Sequence, residues 1–271
     1  MRFHNLARFA DIGSNSYLVE IGSTRIVLDA GTHPKHTGRD TLPLFETIEQ
    51  DSVDGILISH PHLDHIGGLP VLMQQQVSAA VAMTPETRES GSALLHNSVN
   101  VMKSQRDELD EPDYPLYSHR KVDELERLWF TRSPGEVFSL GEVDRVQCEF
   151  YRAGHVLGAV GVHLQGENES VFYTGDVHFE DQTMTRKAEF PEESFDTLII
   201  FLRQGSIFQL GWVFVGGVGF IGSVALKNAL NSLCRVTPCF PNTSWHKFEP
   251  LTGSSYVLLN FISICGDGEM L

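Results

Sequence analysis

The stretch VDGILISHPHLDHIGGLP, residues 53–70, runs from an apolar segment into three histidines and an aspartate within six positions. Residues 53–59 are short and almost wholly apolar, the composition of a strand buried on both faces. Directly after them stand His60, His62, Asp64 and His65, nitrogen and oxygen donors suited to zinc or a similar borderline metal. In a loop leaving a strand, alternate residues such as 60 and 62 point to one side, while Asp64 and His65 can turn toward a neighbouring position. Four ligands this close exceed what one open catalytic metal needs, so the spacing suggests two adjacent metals that clamp one substrate.

Two later segments extend the donor set. AGHVLGA (153–159) places His155 at the end of the strand-like VQCEFYR, and YTGD (173–176) places Asp176 at the end of SVFYTG. Proteins of the α/β class gather site residues beyond strand C-termini, and a carboxylate at 176 could bridge two metals. VLDAG (27–31) ends another strand with Asp29, which reads as a group orienting the histidine loop from behind. A lone His-x-His is commonly a solvated loop, and a lone strand-end aspartate is commonly a cap. Four such pieces, each at a strand end, make coincidence a poor account. His33, His36, His163 and His178 read as structural or solvated, with His178 the best placed of them to face the site. His4, His96, His119 and His246 carry no partner pattern.

The surrounding pattern supplies the scaffold. SYLVEIGSTRIVLDAG reads as two strands, 16–21 and 24–29, joined by Gly22-Ser23. Residues 42–50 have helical spacing, and 69–76, 85–107 and 122–129 also read as helices, with an extended run at 79–83. From Gly135 the pattern turns to strands and ends in DTLII at 196–200, with a hairpin signal between Gln165 and Ser170. Strands in both halves with helices between them predict an α/β layered fold, two sheets stacked together and helices outside.

The chain has 271 residues, 41% of them apolar, and 35 acidic against 20 basic residues, a net charge of −15. That balance argues against non-specific adhesion to nucleic acid, so an anionic substrate would need a local basic groove or metal ions. Four cysteines without a CxxC pair point to a reducing compartment, and the N-terminus lacks an apolar core of signal-peptide length, so a cytoplasmic location is expected. The composition breaks near residue 201: the first 200 residues hold 48 charged side chains and the last 71 hold seven. Residues 204–226 carry no charge and are long enough to span a bilayer as a helix, although six glycines weaken that reading. A buried strand pair, or a sequence not selected to fold here, are the alternatives. The expected division is therefore a metal-binding domain over 1–200 and an atypical apolar tail over 201–271.

Taken in order over about residues 1–200, LDAG, SHPHLDH, AGHVLGA and YTGD resemble the metallo-β-lactamase superfamily. AGHVLGA and FDTLII resemble in particular its β-CASP branch, the RNA-processing nucleases. The resemblance implies an α/β fold of the αββα sandwich type, incomplete at the C-terminus, holding two Zn2+ ions. It implies His60, His62 and His155 on one zinc, Asp64 and His65 on the other, and Asp176 bridging. Asp64, His65 and Asp176 form the implied catalytic set, with Asp29 behind them. The implied reaction is hydrolysis of RNA phosphodiester bonds by a metal-activated hydroxide; RNA is the expected partner and nothing points to DNA. After Ile200 the branch continues with an acidic turn, whereas Phe201 and LRQGSIFQ stand here. The tail is therefore expected to be out of frame or foreign, and the chain a truncated member. The rival readings are another hydrolase of the superfamily, acting on a thioester, lactam or small phosphodiester, and a metal-binding remnant without turnover, with membrane attachment through 204–226 as its variant.

Overall fold

Two β-sheets stacked face to face organise the chain. The structure is a computed structural model and describes residues 1–9, 13–203, 209–215 and 257–258. The first sheet has six strands in chain order: β1 (Arg2–Asn5), β2 (Tyr17–Ile21), β3 (Thr24–Leu28), β4 (Gly55–Leu57), β5 (Ala80–Met83) and β6 (Trp129–Thr131). The first three are antiparallel, and β3 to β6 pair in parallel. Parallel neighbours need crossovers. These are α1 (Leu63–Ile66) and α2 (Leu69–Gln75) between β4 and β5, then α3 (Pro85–Leu109) and α4 (His119–Glu126) between β5 and β6. Thr84 caps α3 by accepting from the Thr87 N–H, with Pro85 at its first turn, and Ser118 caps α4 in the same way through Lys121.

The second sheet runs in the order β13 (Val257–Leu258), β12 (Gln209–Val215), β11 (Thr197–Arg203), β10 (Ser170–Asp176), β9 (Val160–Gln165), β8 (Val146–Arg152) and β7 (Val137–Leu140). Gln165 pairs with Ser170 at the β9–β10 hairpin, as its turn sequence predicts.

Alternation along the strands sets the layers. Val19, Ile26, Leu28, Leu57 and Ala82 face the second sheet, where Phe150, Val162, Leu164, Val171 and Ile199 meet them. The intervening Leu18, Val27, Ile56 and Val81 face Leu69, Leu72, Leu95, Val99 and Val122 of the helices. Strands β4 and β5, and β3 from Ile26 to Leu28, are thus buried on both sides, which is why these stretches read as apolar runs. Each buried valine, leucine or isoleucine among them contributes about 1.5–3 kcal/mol of transfer free energy. The helices described all belong to the layer on the first sheet; among the described residues none follows α4.

Two expectations change, and one open alternative narrows. Residues 42–50 hold one short 3-10 turn, at 45–47, just after another at 38–41, and not an α-helix. Leu42, Phe45 and Ile48, all buried, repeat every third residue, the period at which 3-10 side chains eclipse. The helix expected over 122–129 ends at Glu126, and Trp129 joins β6 beside Val81, where sheet pairing overrides the local helical pattern. Within 204–226, residues 209–215 form a strand antiparallel to β11 and not a bilayer-spanning helix; the rest of that segment lies outside the described residues. None of the described helices is long and apolar enough to cross a membrane.

Candidate metal centre

The strand ends β3, β4, β8 and β10 converge at one end of the sandwich, and each delivers one piece of the site. After β4 the chain runs through Ser59, His60 and His62 into α1, whose first-turn amides at His65 and Ile66 bond back to the His62 carbonyl. Backbone bonds hold this loop against the segments around β2 and β3: Asn15 N–H to Asp64 O at 2.9 Å, Ala30 N–H to His65 O at 2.7 Å, and Thr32 N–H to Leu63 O at 2.8 Å. The approach is so close that a Cβ on Gly31 would lie 1.8 Å from the Asp64 carbonyl oxygen. The glycine of LDAG is therefore a packing requirement of the histidine loop. On the other side, the Thr84 and Thr87 hydroxyls at the start of α3 both donate to Gly158 O, at 2.8 and 3.1 Å, and tie down the turn that carries His155.

The side chains meet closely. His60 Nε2 lies 3.1 Å from His62 Nδ1, and His155 Nε2 lies 3.2 Å from the same His62 atom. Asp176 faces two histidines at once, with Oδ1 3.5 Å from His65 Nε2 and Oδ2 3.6 Å from His155 Nε2. Asp64 Oδ2 stands 3.8 Å from His65 Nε2. Two groups of three donors have all their ligand atoms within 4.8 Å: His60, His62 and His155, and His60, His65 and Asp176. Imidazole nitrogen and carboxylate oxygen are ordinary ligands of zinc and related divalent ions, so the donor set fits such a metal. Asp64 belongs to neither group of three and sits at the rim of the second.

Behind the donors stands Asp29. It is wholly buried and holds a left-handed backbone, φ 60°, which a short polar side chain tolerates better than most. Its Oδ1 accepts from the Ser59 N–H at 2.7 Å; its Oδ2 accepts from the Ser59 hydroxyl at 2.7 Å, from His65 Nδ1 at 2.7 Å, and from the Tyr173 phenol. A buried carboxylate is tolerated when paired and bonded in this way. Burial by itself lowers the His65 pKa; Asp29, with Asp176 and Asp64 beyond it, reverses this and raises the ring from 6.5 to about 9. Burial and then Asp29 push the Tyr173 phenol well above 10, so it stays protonated and donates. Asn15, also buried, places Nδ2 3.0 Å from His65 Nε2.

All seven residues singled out from the sequence therefore come together: His60, His62, Asp64, His65, His155 and Asp176 at the front, Asp29 behind. Ser59, Tyr173 and Asn15 were not anticipated, although Tyr173 lies inside YTGD. His178 belongs to neither donor group, and His246 lies outside the described residues. His96 and His119 do have partners: their Nδ1 atoms lie 2.8 Å apart, with Asp123 and Asn100 on the outer nitrogens.

A sequence model for the family described as the metallo-beta-lactamase superfamily matches residues 10–207. The chain belongs to the metallo-β-lactamase superfamily. That membership and the donor set together imply divalent metal binding. Among characterised relatives, Endoribonuclease ysh1 of Schizosaccharomyces pombe is 32% identical over 202 residues, 73% of this chain and 25% of its own length. The cleavage and polyadenylation specificity factor subunit 3-I of Arabidopsis thaliana is 30% identical over 199 residues, 72% of this chain and 27% of its own. Relatives of this kind agree with the β-CASP resemblance read from the motifs. The chain spans about a quarter of the length of these relatives. A solved metallo-β-lactamase from Cronobacter sakazakii matches at 19% identity with a TM-score of 0.40, over 59% of this chain and 57% of that one.

Proposed function

We propose that this chain carries the two-zinc centre of a hydrolase that cleaves RNA phosphodiester bonds. The observation that supports it most is the pair of three-donor groups sharing His60 at one end of the sandwich, in a chain whose relatives are named endoribonucleases. In this reading His60, His62 and His155 would hold one ion and Asp64 and His65 the other, with Asp176 available to both, since its two oxygens face histidines of different groups. Zinc, when bound, supplies Lewis acidity: it turns water into a nucleophile near neutral pH and polarises a phosphoryl oxygen. The protein's own part is to present those ligands in fixed geometry. Asp29 orients the His65 ring through Nδ1, leaving Nε2 turned toward Asp64 and Asp176. Bound cations also offset the repulsion between a chain of net charge −15 and an anionic strand.

Metal analysis of the purified chain, paired with a cleavage assay on single-stranded RNA, tests this reading with His62→Ala as the control. Two zinc ions per chain and cleavage that His62→Ala abolishes are the expected result. A wild-type chain that binds no zinc would overturn it, and two ions without cleavage would favour a metal-binding domain without turnover. We also propose that the tail 201–271 stands outside the family domain, supported by the loss of charge after residue 200 and by a family match that ends at 207, seven residues into that tail. Translating the coding DNA past codon 200 in the other two frames checks it: neither frame resuming a family-like continuation would exclude a frameshift.

A further inference from the structure

Strand β10 delivers two side chains to the site, which a regular strand would not do. Tyr173 and Asp176 are three residues apart, and in an undisturbed strand they would point to opposite faces. The register against β11 slips between them: Tyr173 pairs with Ile199 and Asp176 with Phe201, so β10 spends one more residue than its neighbour. This is a β-bulge, with Gly175 in a left-handed conformation, φ 56°. The extra residue turns Asp176 to the side already faced by Tyr173. At the bulge the strand presses on the histidine loop, because a Cβ on Gly175 would lie 2.9 Å from Ser59 Cβ and 3.0 Å from its Oγ. Ser59 is the residue whose N–H and hydroxyl hold Asp29. The fully buried Tyr173 reaches across from the second sheet and donates to Asp29 Oδ2, the same oxygen that accepts from His65 Nδ1.

We propose that Tyr173 is a positioning residue for the second metal position, acting on His65 through Asp29. Its effect is selective. Asp29 Oδ2 bonds the His65 ring directly, whereas His60 Nδ1 stands one bond further on, 3.0 Å from the Ser59 hydroxyl that Asp29 accepts from. One strand thereby sets both edges of that position, Asp176 in front of His65 and Tyr173 behind it. The inference rests on the two-zinc reading of the site.

The test is stepwise binding of Zn2+ alone to the full chain, followed by competition with a chelator. Tyr173→Phe keeps the ring and removes one oxygen, and Tyr117→Phe removes a buried tyrosine hydroxyl from a bond to Ser98 in the helix layer. Tyr173→Phe should weaken one of the two binding steps by about 10- to 100-fold, the usual effect of losing an outer-shell partner, and leave the other step unchanged. Tyr117→Phe should change neither. Ser59→Ala removes another donor to Asp29 Oδ2 together with the contact to His60 Nδ1, and should weaken both steps. Both steps unchanged in Tyr173→Phe, or both weakened by one factor, would overturn the positioning role while leaving the two-zinc reading in place. A wild-type chain that binds no zinc would overturn both.

Discussion

His65 and Asp29 have no exposed side-chain surface, whereas His155 and Asp64 keep 17% and 26% of theirs. The buried half of the site is a finished hydrogen-bonded structure: a carboxylate with four donors, a histidine ring held through Nδ1, and a tyrosine reaching in from the opposite sheet. The outer half consists of ring nitrogens and a carboxylate brought within reach of one another where the site is partly exposed. The difference lies in what each half needs from a metal. Buried charges must be compensated by the protein before any ion arrives, because leaving them unpaired costs several kcal/mol. Partly hydrated histidines carry no such requirement. The inner half should therefore contribute to folding by itself, and the outer half chiefly to metal binding.

Asp29→Ala should break the inner half most severely. It leaves His65, the Ser59 amide and the Tyr173 phenol without their shared acceptor, and should destabilise the metal-free chain by about 3–5 kcal/mol in urea unfolding. A loss below 1 kcal/mol would mean the buried network adds little to the fold.

The pH profile of the metal-free chain separates the halves next. His65 is raised from 6.5 to about 9, so its stabilising contribution is complete below pH 6.5 and disappears as pH rises through 9. Stability should fall across that window by on the order of 3 kcal/mol at most. Saturating zinc should remove the slope, since a ligating imidazole must be neutral and binding releases the proton. A flat metal-free profile between pH 6.5 and 9 would show that His65 carries no such charge.

The smallest effect belongs to the outer half. His155→Ala should change the metal-free unfolding free energy by no more than about 0.5 kcal/mol, as for other partly exposed positions. The same variant should lose most of the stabilisation that zinc confers on the wild type. A large metal-free loss would erase the distinction between the two halves.

The ligand residues were legible in the sequence because they are local. His60, His62, Asp64 and His65 occupy one loop, and His155, Asp176 and Asp29 each stand at the end of an apolar run that marks a strand. The layered α/β architecture was legible for the same reason, since alternation and uncharged runs record burial directly. Illegible were the partners supplied from far away: Tyr173 meets Asp29 across 144 positions, and the threonines at the start of α3 meet the His155 turn across more than 70. The strand bulge at Gly175 was hidden too, because an extra residue shows only against a neighbour's register. The misread stretch at 42–50 failed on a finer point, a repeat of three residues taken for one of 3.6.

By itself, then, the sequence determined which donors exist, their order along the chain, and the strand ends that carry them. Only the tertiary structure decided which donors share a position, which are buried, and that Tyr173 and Asp176 face the same way. The physical reason is that strand pattern specifies a face but not what stacks on it. The contacts that orient His65 arise from the stacking of two sheets and one shift of register, neither of which has a local code.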